Sequence, residues 1–290
     1  MACECFGDLS ILLLNLLVFA TMPLLLYLIP LLVCTYCIWR WHKHQTRQKI
    51  LASHLSDYER TVILQAVPIY QRLPDKLLRP LEGKINLFLD QVEFIGCDGF
   101  EIDDEVALSI AAQACLLVAN KDMWYQNLQT VLIYPGAFKS RTKEHHGYVV
   151  RERETVRIGE SWARGPVILS WEHTEKGALN SNDGHNVVMH EFAHQLDELS
   201  GYTDCAPILQ RDHSQGEWNR AFYDAFTRLE KDVNTGRKTK IDSYGATAPE
   251  EFFAVVVELF FERPAVLNSE EPQIYEQLSK FFQLDPIEWT

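Results

Sequence analysis

His190-Glu191-Phe192-Ala193-His194 is the stretch around which this 290-residue chain is organised. On a helix, residues four apart are separated by about 6 Å of rise and about 40° of rotation, so both imidazoles face one way and can share a metal ion. Glu191 lies about 100° round the helix from His190, within reach of a water on that metal and free to serve as its general base. Five residues alone are a weak signal, so the flanking sequence decides. Val187, Val188, Met189, Phe192, Ala193 and Leu196 make an apolar side, with Asp183 as the expected N-cap and Gly201 as the expected stop. His190, Glu191, His194 and Asp197 fall on the other side. Such a helix is a zinc pincer.

Catalytic zinc usually takes three protein ligands and leaves a position open for water. A further histidine six residues after His194 would mark a metzincin, but Ser200 stands there, and Asp197 replaces that pattern's glycine. Asp197 shares the histidine face, either orienting an imidazole N–H or standing as a solvated carboxylate. Downstream, Thr247-Ala248-Pro249-Glu250-Glu251-Phe252-Phe253 opens a helix apolar on nearly every side up to Glu258. Thr247 and Glu250 are spaced as a capping box, which leaves Glu251 unexplained beside phenylalanines. A carboxylate buried there costs several kcal/mol unless paired, and a zinc ion is a sufficient partner. Glu251 is the expected third ligand. Glu258, seven residues on and on the same face, is the competitor or else a hydrogen-bonding support for a ligand.

Composition sets the frame. A hydrophobic content of 47% supplies an ample core, and a net charge of −13 disfavours a nucleic-acid binder, which would want a basic footprint. Seven cysteines, four of them before residue 38, form no disulfide framework. Cys34 and Cys37 make a CxxC without a thioredoxin-like context, and Cys3 and Cys5 are the positions open to lipidation. From Leu9 to Trp39 there is no charged residue, a length that crosses a bilayer core of about 30 Å. Pro23 and Pro30 are expected to kink one span, with a re-entrant hairpin as the alternative. Arg40, Lys43, Arg47 and Lys49 follow, so the positive-inside rule places everything after them in the cytoplasm, with anionic headgroups beside the basic flank.

Past the basic flank, Ser56 and Glu59 read as a capping box opening a helix towards Gln71, disturbed at Pro68. Helices are expected after Pro74 and from about Asp103, and strands over Leu128 to Tyr134 and Val149 to Ile158. His145 and His146 are expected in a surface loop. Gly165 to Trp171 reads as a third strand whose proline suits a sheet edge, the expected shelf for an extended peptide.

Several ordered blocks resemble the Mlc titration factor family of bacterial zinc metallopeptidases. They are Asp183-Gly184-His185-Asn186 running into the HExxH segment, Ala111-Ala112-Gln113-Ala114-Cys115, Trp124-Tyr125, Tyr134-Pro135, Gly159-Glu160-Ser161-Trp162, Arg164-Gly165-Pro166-Val167 and Tyr244-Gly245-Ala246-Thr247. The likeness covers roughly residues 70 to 290. It implies a gluzincin-type site of His190, His194 and Glu251 with Glu191 as base. In that family, and in the similar catalytic domain of anthrax lethal factor, a tyrosine seven residues before the ligand glutamate assists catalysis, and that position is Tyr244. Spacing alone makes Tyr244 a turn residue. The family further implies aminopeptidase-like activity on peptides and, for soluble members, capture of the Mlc repressor; this chain departs from those members by its apolar N-terminal segment.

The expected fold is α+β and mainly helical: a zincin-like metallopeptidase domain with a small sheet beside the HExxH helix, preceded by one transmembrane helix. Residues 1–39 form the tail and anchor, 40–69 a basic juxtamembrane segment and helical linker, and 70–290 the peptidase domain. The expected partners are a peptide substrate, the lipid bilayer through residues 9–39 and a repressor-type protein, with no nucleic acid. A single-pass inner-membrane peptidase is the leading expectation. The rival is a membrane-anchored regulatory protein whose zinc site is secondary, against which stand the non-ligand Glu191 and a donor set without cysteine.

Overall fold

The computed structural model describes the backbone of residues 5–120, 123–146, 149–157, 159–161, 165–200, 205, 207–211 and 213–289, and their side chains apart from 5–27, 139–146, 149–157 and 161. The chain divides into two compact units, residues 1–50 and 51–290. The first unit is built on α1 (Cys5–Leu51), which continues without a break through Pro23 and Pro30, so the chain does not form a re-entrant pair of shorter helices. Leu28, Ile29, Leu31, Leu32, Val33, Tyr36, Ile38, Trp39 and Trp41 are all exposed. Among the described residues no helix is long and apolar enough to cross a membrane. The side chains of residues 9–27, more than half of the expected span, lie outside the described residues, as do those of Cys3 and Cys5.

The second unit opens with three helices. Ser56 caps α2 (Asp57–Ala66) by the expected box: its hydroxyl accepts from the Glu59 N–H and the Glu59 carboxylate accepts the Ser56 N–H at 2.6 Å. The helix stops before Pro68, which starts a 3-10 turn to Arg72. α3 (Asp75–Gln91) follows Pro74, then a short strand, β1 (Glu93–Gly96), then α4 (Asp104–Leu116), capped by the Asp103 carboxylate. Glu82 of α3 clasps α2, accepting from Arg60 Nε at 2.6 Å and from Nη2 at 3.1 Å.

β2 (Thr130–Tyr134), β3 (Phe138–His146), β4 (Val149–Arg157), β5 (Gly159–Ser161) and β6 (Val167–Ser170) complete the strands. β3 and β4 pair antiparallel as a separate two-stranded sheet, so the backbone at His145 and His146 is strand rather than the expected loop; the polar run gives no alternation to read and is strand through its pairing with β4. The other sheet has the order β1-β2-β6-β5, parallel except for β5. The expected edge position of the 165–171 strand is therefore wrong. β6 is an inner strand, flanked by β2 through Val131↔Val167 and by β5 through Gly159↔Leu169, and Trp171 already belongs to a helix. Pro166 precedes β6 and costs it no ladder bond, which is why the proline misled.

Helices occupy the rest: α5 (Trp171–Leu179), α6 (Val187–Asp197), α7 (Gln215–Asn234), α8 (Pro249–Glu262), α9 (Pro264–Glu270) and α10 (Pro272–Phe282). The last three each begin on a proline, whose missing N–H costs nothing in a first turn. α6 packs against α8, α4, α5, β5 and β6. Its Phe192 is fully buried, with its ring 5.7 Å from Phe88 and 5.0 Å from Tyr125. A second aromatic cluster, Trp218 stacked on Phe222 at 4.3 Å and joined by Phe253 and Phe281, fixes α7 and α10 against α8. The molecule is thus mainly helical with a small sheet against the HExxH helix.

Candidate metal centre

α6 starts three residues later than Asp183 would allow. Asn186 is the N-cap, its side-chain oxygen accepting the Met189 N–H at 3.0 Å, while Asp183 closes a short turn on the His185 N–H. The difference lies in Gly184, whose φ of +84° turns the chain before any helical bond can form. α6 ends at Asp197 and passes into a 3-10 turn to Ser200; the expected stop, Gly201, lies outside the described residues.

His190 and His194 stand one turn apart with ring centroids separated by 4.9 Å and their Nε2 atoms by 3.3 Å. α8 delivers Glu251 to the same point. One of its oxygens lies 3.0 Å from His190 Nε2 and 3.5 Å from His194 Nε2, and the three donor atoms fall within 4.8 Å of one another. Glu258 goes to the opposite nitrogen, 2.8 Å from His190 Nδ1. Two turns along α8 put both glutamates on His190, one on each side of its ring. The expected capping box at the start of α8 does not form: Ala248 is the N-cap, without a side-chain bond, and the Thr247 hydroxyl donates instead to the Tyr244 carbonyl at 2.7 Å. Glu250 faces the cavity described below.

Glu191 is 6% exposed and lies flat against β5. A Cβ on Gly159 would sit 2.3 Å from its Oε1, so the strand approaches this closely only because glycine stands there. Burial pushes the Glu191 carboxyl up to about 7, further raised by Glu251 and Glu258 and opposed by His190 and His194. Burial would also raise the Glu251 carboxyl, but the bonds from His190 and His194 outweigh it and hold that group well below the usual carboxylate range. Desolvation works against a charged His190, and its two carboxylate partners reverse the direction and raise it.

Tyr244 sits in a 3-10 turn (Ser243–Ala246) that Asp242 caps by accepting the Tyr244 N–H at 2.8 Å. Its ring is 5.9 Å from the His190 ring, and it is 52% exposed. Asp242 also lies 3.5 Å from His185 Nδ1. Asp197 is fully buried, not a solvated carboxylate, and accepts the Cys205 N–H at 3.0 Å. All of the expected site residues except Asp197 line a cavity of about 840 Å³, whose wall also carries Gly159, Glu160, Lys176 and Glu250. Gly159 and Asn186 entered the sequence reading only as members of blocks resembling the family, with no role of their own, because what they do rests on contacts with strands and helices far along the chain.

The residues suit a metal ion on their own chemistry. Two imidazole nitrogens and a carboxylate held low converge from one side, the remaining nitrogen of His190 is tied to Glu258, and a solvent cavity lies on the open side. Three donors with an accessible face leave a coordination position open, unlike the four-donor set of a closed structural zinc site.

The sequence profile of the glucose-regulated metallo-peptidase M90 family matches residues 39–283. The chain belongs to that family. It is 41% identical over 250 residues to the uncharacterized protein slr2042 of Synechocystis sp., covering 85% of this chain and 90% of that one. It is 30% identical over 228 residues to the Mlc titration factor A of Cronobacter sakazakii, covering 77% of this chain and 84% of the relative. The corresponding protein of an Escherichia coli strain is 28% identical over 229 residues. The family and the His190, His194 and Glu251 cluster together point to a metallopeptidase-like function.

Proposed function

We propose that this chain is a zinc peptidase of aminopeptidase-like activity, with His190, His194 and Glu251 as metal ligands and Glu191 and Tyr244 as catalytic groups. The observation that carries the reading is Glu191: a buried carboxylate beside the three donors, held against Gly159 and lining the cavity. When bound, zinc supplies the Lewis acidity that makes water nucleophilic near pH 7 and polarises a carbonyl. Glu191 takes the proton of the attacking water and delivers it to the amine as the C–N bond breaks. The Tyr244 phenol donates to the carbonyl oxygen as negative charge develops there. β5 takes over as the substrate shelf: it is an edge of the sheet, and its Gly159 is in contact with Glu191, so a peptide laid along it passes the base.

Glu191→Gln is expected to retain its metal and to lose about 10²- to 10⁴-fold in the release of amino acids from short peptides. An active Glu191→Gln enzyme would falsify the mechanism. The relatives named Mlc titration factor A support a second reading, in which the chain captures a repressor-type partner and the metal is secondary. Partner capture undiminished in Glu191→Gln, with no cleavage by wild type, is the result that would favour it.

We also infer that residues 9–39 anchor the protein in a lipid bilayer, with the unit after Arg40 on the cytoplasmic side. The support is α1 itself: from Leu28 to Trp41 its apolar side chains are exposed, Tyr36, Trp39 and Trp41 suit the headgroup boundary, and Lys43 Nζ lies 5.6 Å from the Trp39 ring. Full-length protein should stay with membranes through alkaline carbonate, and a chain lacking residues 1–39 should not. Recovery of the full chain in the carbonate supernatant would remove the anchor.

A further inference from the structure

We propose that Asn186 is the positioning residue of the metal centre, a single amide that sets the register of three helices so that ligands from two of them meet. It rests on the metal reading above.

Asn186 is 3% exposed and every polar group it has is engaged. Its side-chain oxygen caps α6 on the Met189 N–H. Its backbone carbonyl accepts the His190 N–H at 2.9 Å, the first bond of the helix that carries the site. Its backbone N–H donates to Glu258 at 2.5 Å, and the other oxygen of the same carboxylate takes His190 Nδ1. Its side-chain nitrogen donates to Gln113 of α4 at 2.9 Å and to Glu262 of α8 at 3.1 Å. Gln113 is itself tied back to Ser109, and Glu262 also accepts the Gly184 N–H at 3.0 Å.

The network runs in one direction towards the site. Asn186 holds Glu258, and Glu258 holds the His190 ring from the side away from Glu251, which selects the tautomer and orientation that leave Nε2 facing His194. The capping bond fixes where α6 begins and hence the angular phase of His190 and His194. The two amide donors fix α6 against α8 and α4, and hence the height at which Glu251 arrives. Only a carboxamide can accept from a helix N-terminus while donating to two buried acceptors. Aspartate would keep the cap and put a second carboxylate against Glu262; serine would keep the cap and lose both donors.

The test uses the full chain and zinc alone, with competition against a chelator as the readout and thermal melts in chelator beside it. Asn186→Ser is expected to remain folded below its melting midpoint and to bind zinc about 10- to 100-fold more weakly than wild type. Asn186→Asp is expected to lose at least as much. Adding Glu262→Gln to Asn186→Asp restores a donor facing an acceptor, because the carboxamide introduced on α8 can donate back while its oxygen keeps the Gly184 N–H. That double variant still sets a carboxylate oxygen against the Gln113 oxygen, so it is expected to bind zinc about three- to tenfold more tightly than Asn186→Asp and less tightly than wild type. A purely structural role would lower the melting points without moving the affinity of the folded protein. Folded Asn186→Ser with wild-type zinc affinity, or a double variant no better than Asn186→Asp, would overturn the proposal. A wild type that binds no zinc would overturn the metal reading and this inference with it, and is distinguished by that.

Discussion

A buried carboxylate laid against a glycine makes Glu191 sensitive to a single methyl group. In Gly159→Ala the new Cβ would meet Oε1, Cγ and Cδ of Glu191 within 3 Å, and the end of a side chain yields more easily than a strand paired with β6. The carboxyl is displaced and the donors stay. Turnover is expected to fall about 10²-fold, the cost of misplacing a reacting group by about 1 Å, with metal content unchanged; equal turnover would show that the base does not work from this position. Tyr244 lies beside the His190 ring but half-exposed on a capped 3-10 turn, and Tyr244→Phe keeps the ring, so folding and metal binding should be little changed. Its kcat is expected to drop about 10²-fold with little change in KM, and a change confined to KM would make the phenol a binding group instead. The placing of His190 and His194 side by side was legible because their relation is local, fixed by helical spacing alone. The approach of Glu251 to them was legible as that of an acid with no other partner, whereas Tyr244 entered only through family resemblance, since its spacing marks it as a turn residue.

At the level of elements, caps and edges divide into those set by the chain nearby and those set by distant neighbours. The Ser56–Glu59 box formed as read, since both partners lie within one turn. Asp183 and Thr247 failed as caps because a positive-φ glycine and a 3-10 turn delayed the helices they precede. The sheet edge was misplaced for a related reason: β5 is three residues long and pairs only antiparallel to β6, too short to leave a periodic trace. If β5 is the shelf, N-methylating one backbone amide of a good substrate should raise its KM, and indifference at every position would exclude strand addition. The α2–α3 clasp has its own signature in pH. Hydrogen bonds from Arg60 lower the Glu82 carboxyl below its ordinary value, against burial and with help from His54. Because the folded value is depressed, the stability it adds is present above the ordinary carboxylate pKa and is lost as pH falls through the folded value. Glu82→Gln should therefore melt lower than wild type at pH 7, with the gap closing below about pH 4; a gap independent of pH would assign the effect to packing.

For the molecule as a whole, the metal is expected to act as a tie between α6 and α8, the two helices through its core. Zinc at a thousandfold over its Kd should stabilise the second unit by about 4 kcal/mol relative to chelator, read as a rise in melting temperature. Equal melting curves with zinc and chelator would mean that the donors do not form a site in the folded state. Chain composition had already bounded the molecule, since 47% hydrophobic residues supply enough apolar surface for a packed domain. By itself the sequence determined the HExxH helix, the scaffold helices after Ser56 with the first of them capped by Ser56, the buried character of α8 and the pairing of two histidines with one distant acid. These follow from periodicity and from the cost of burying an unpaired charge. Only the tertiary structure decided that β5 and not β6 is the edge beside Glu191, that Glu258 supports His190 from behind, and that Asn186 joins α4, α6 and α8. Each of those depends on atoms brought within about 3 Å across dozens of residues, and contacts of that range leave no period in the chain to read.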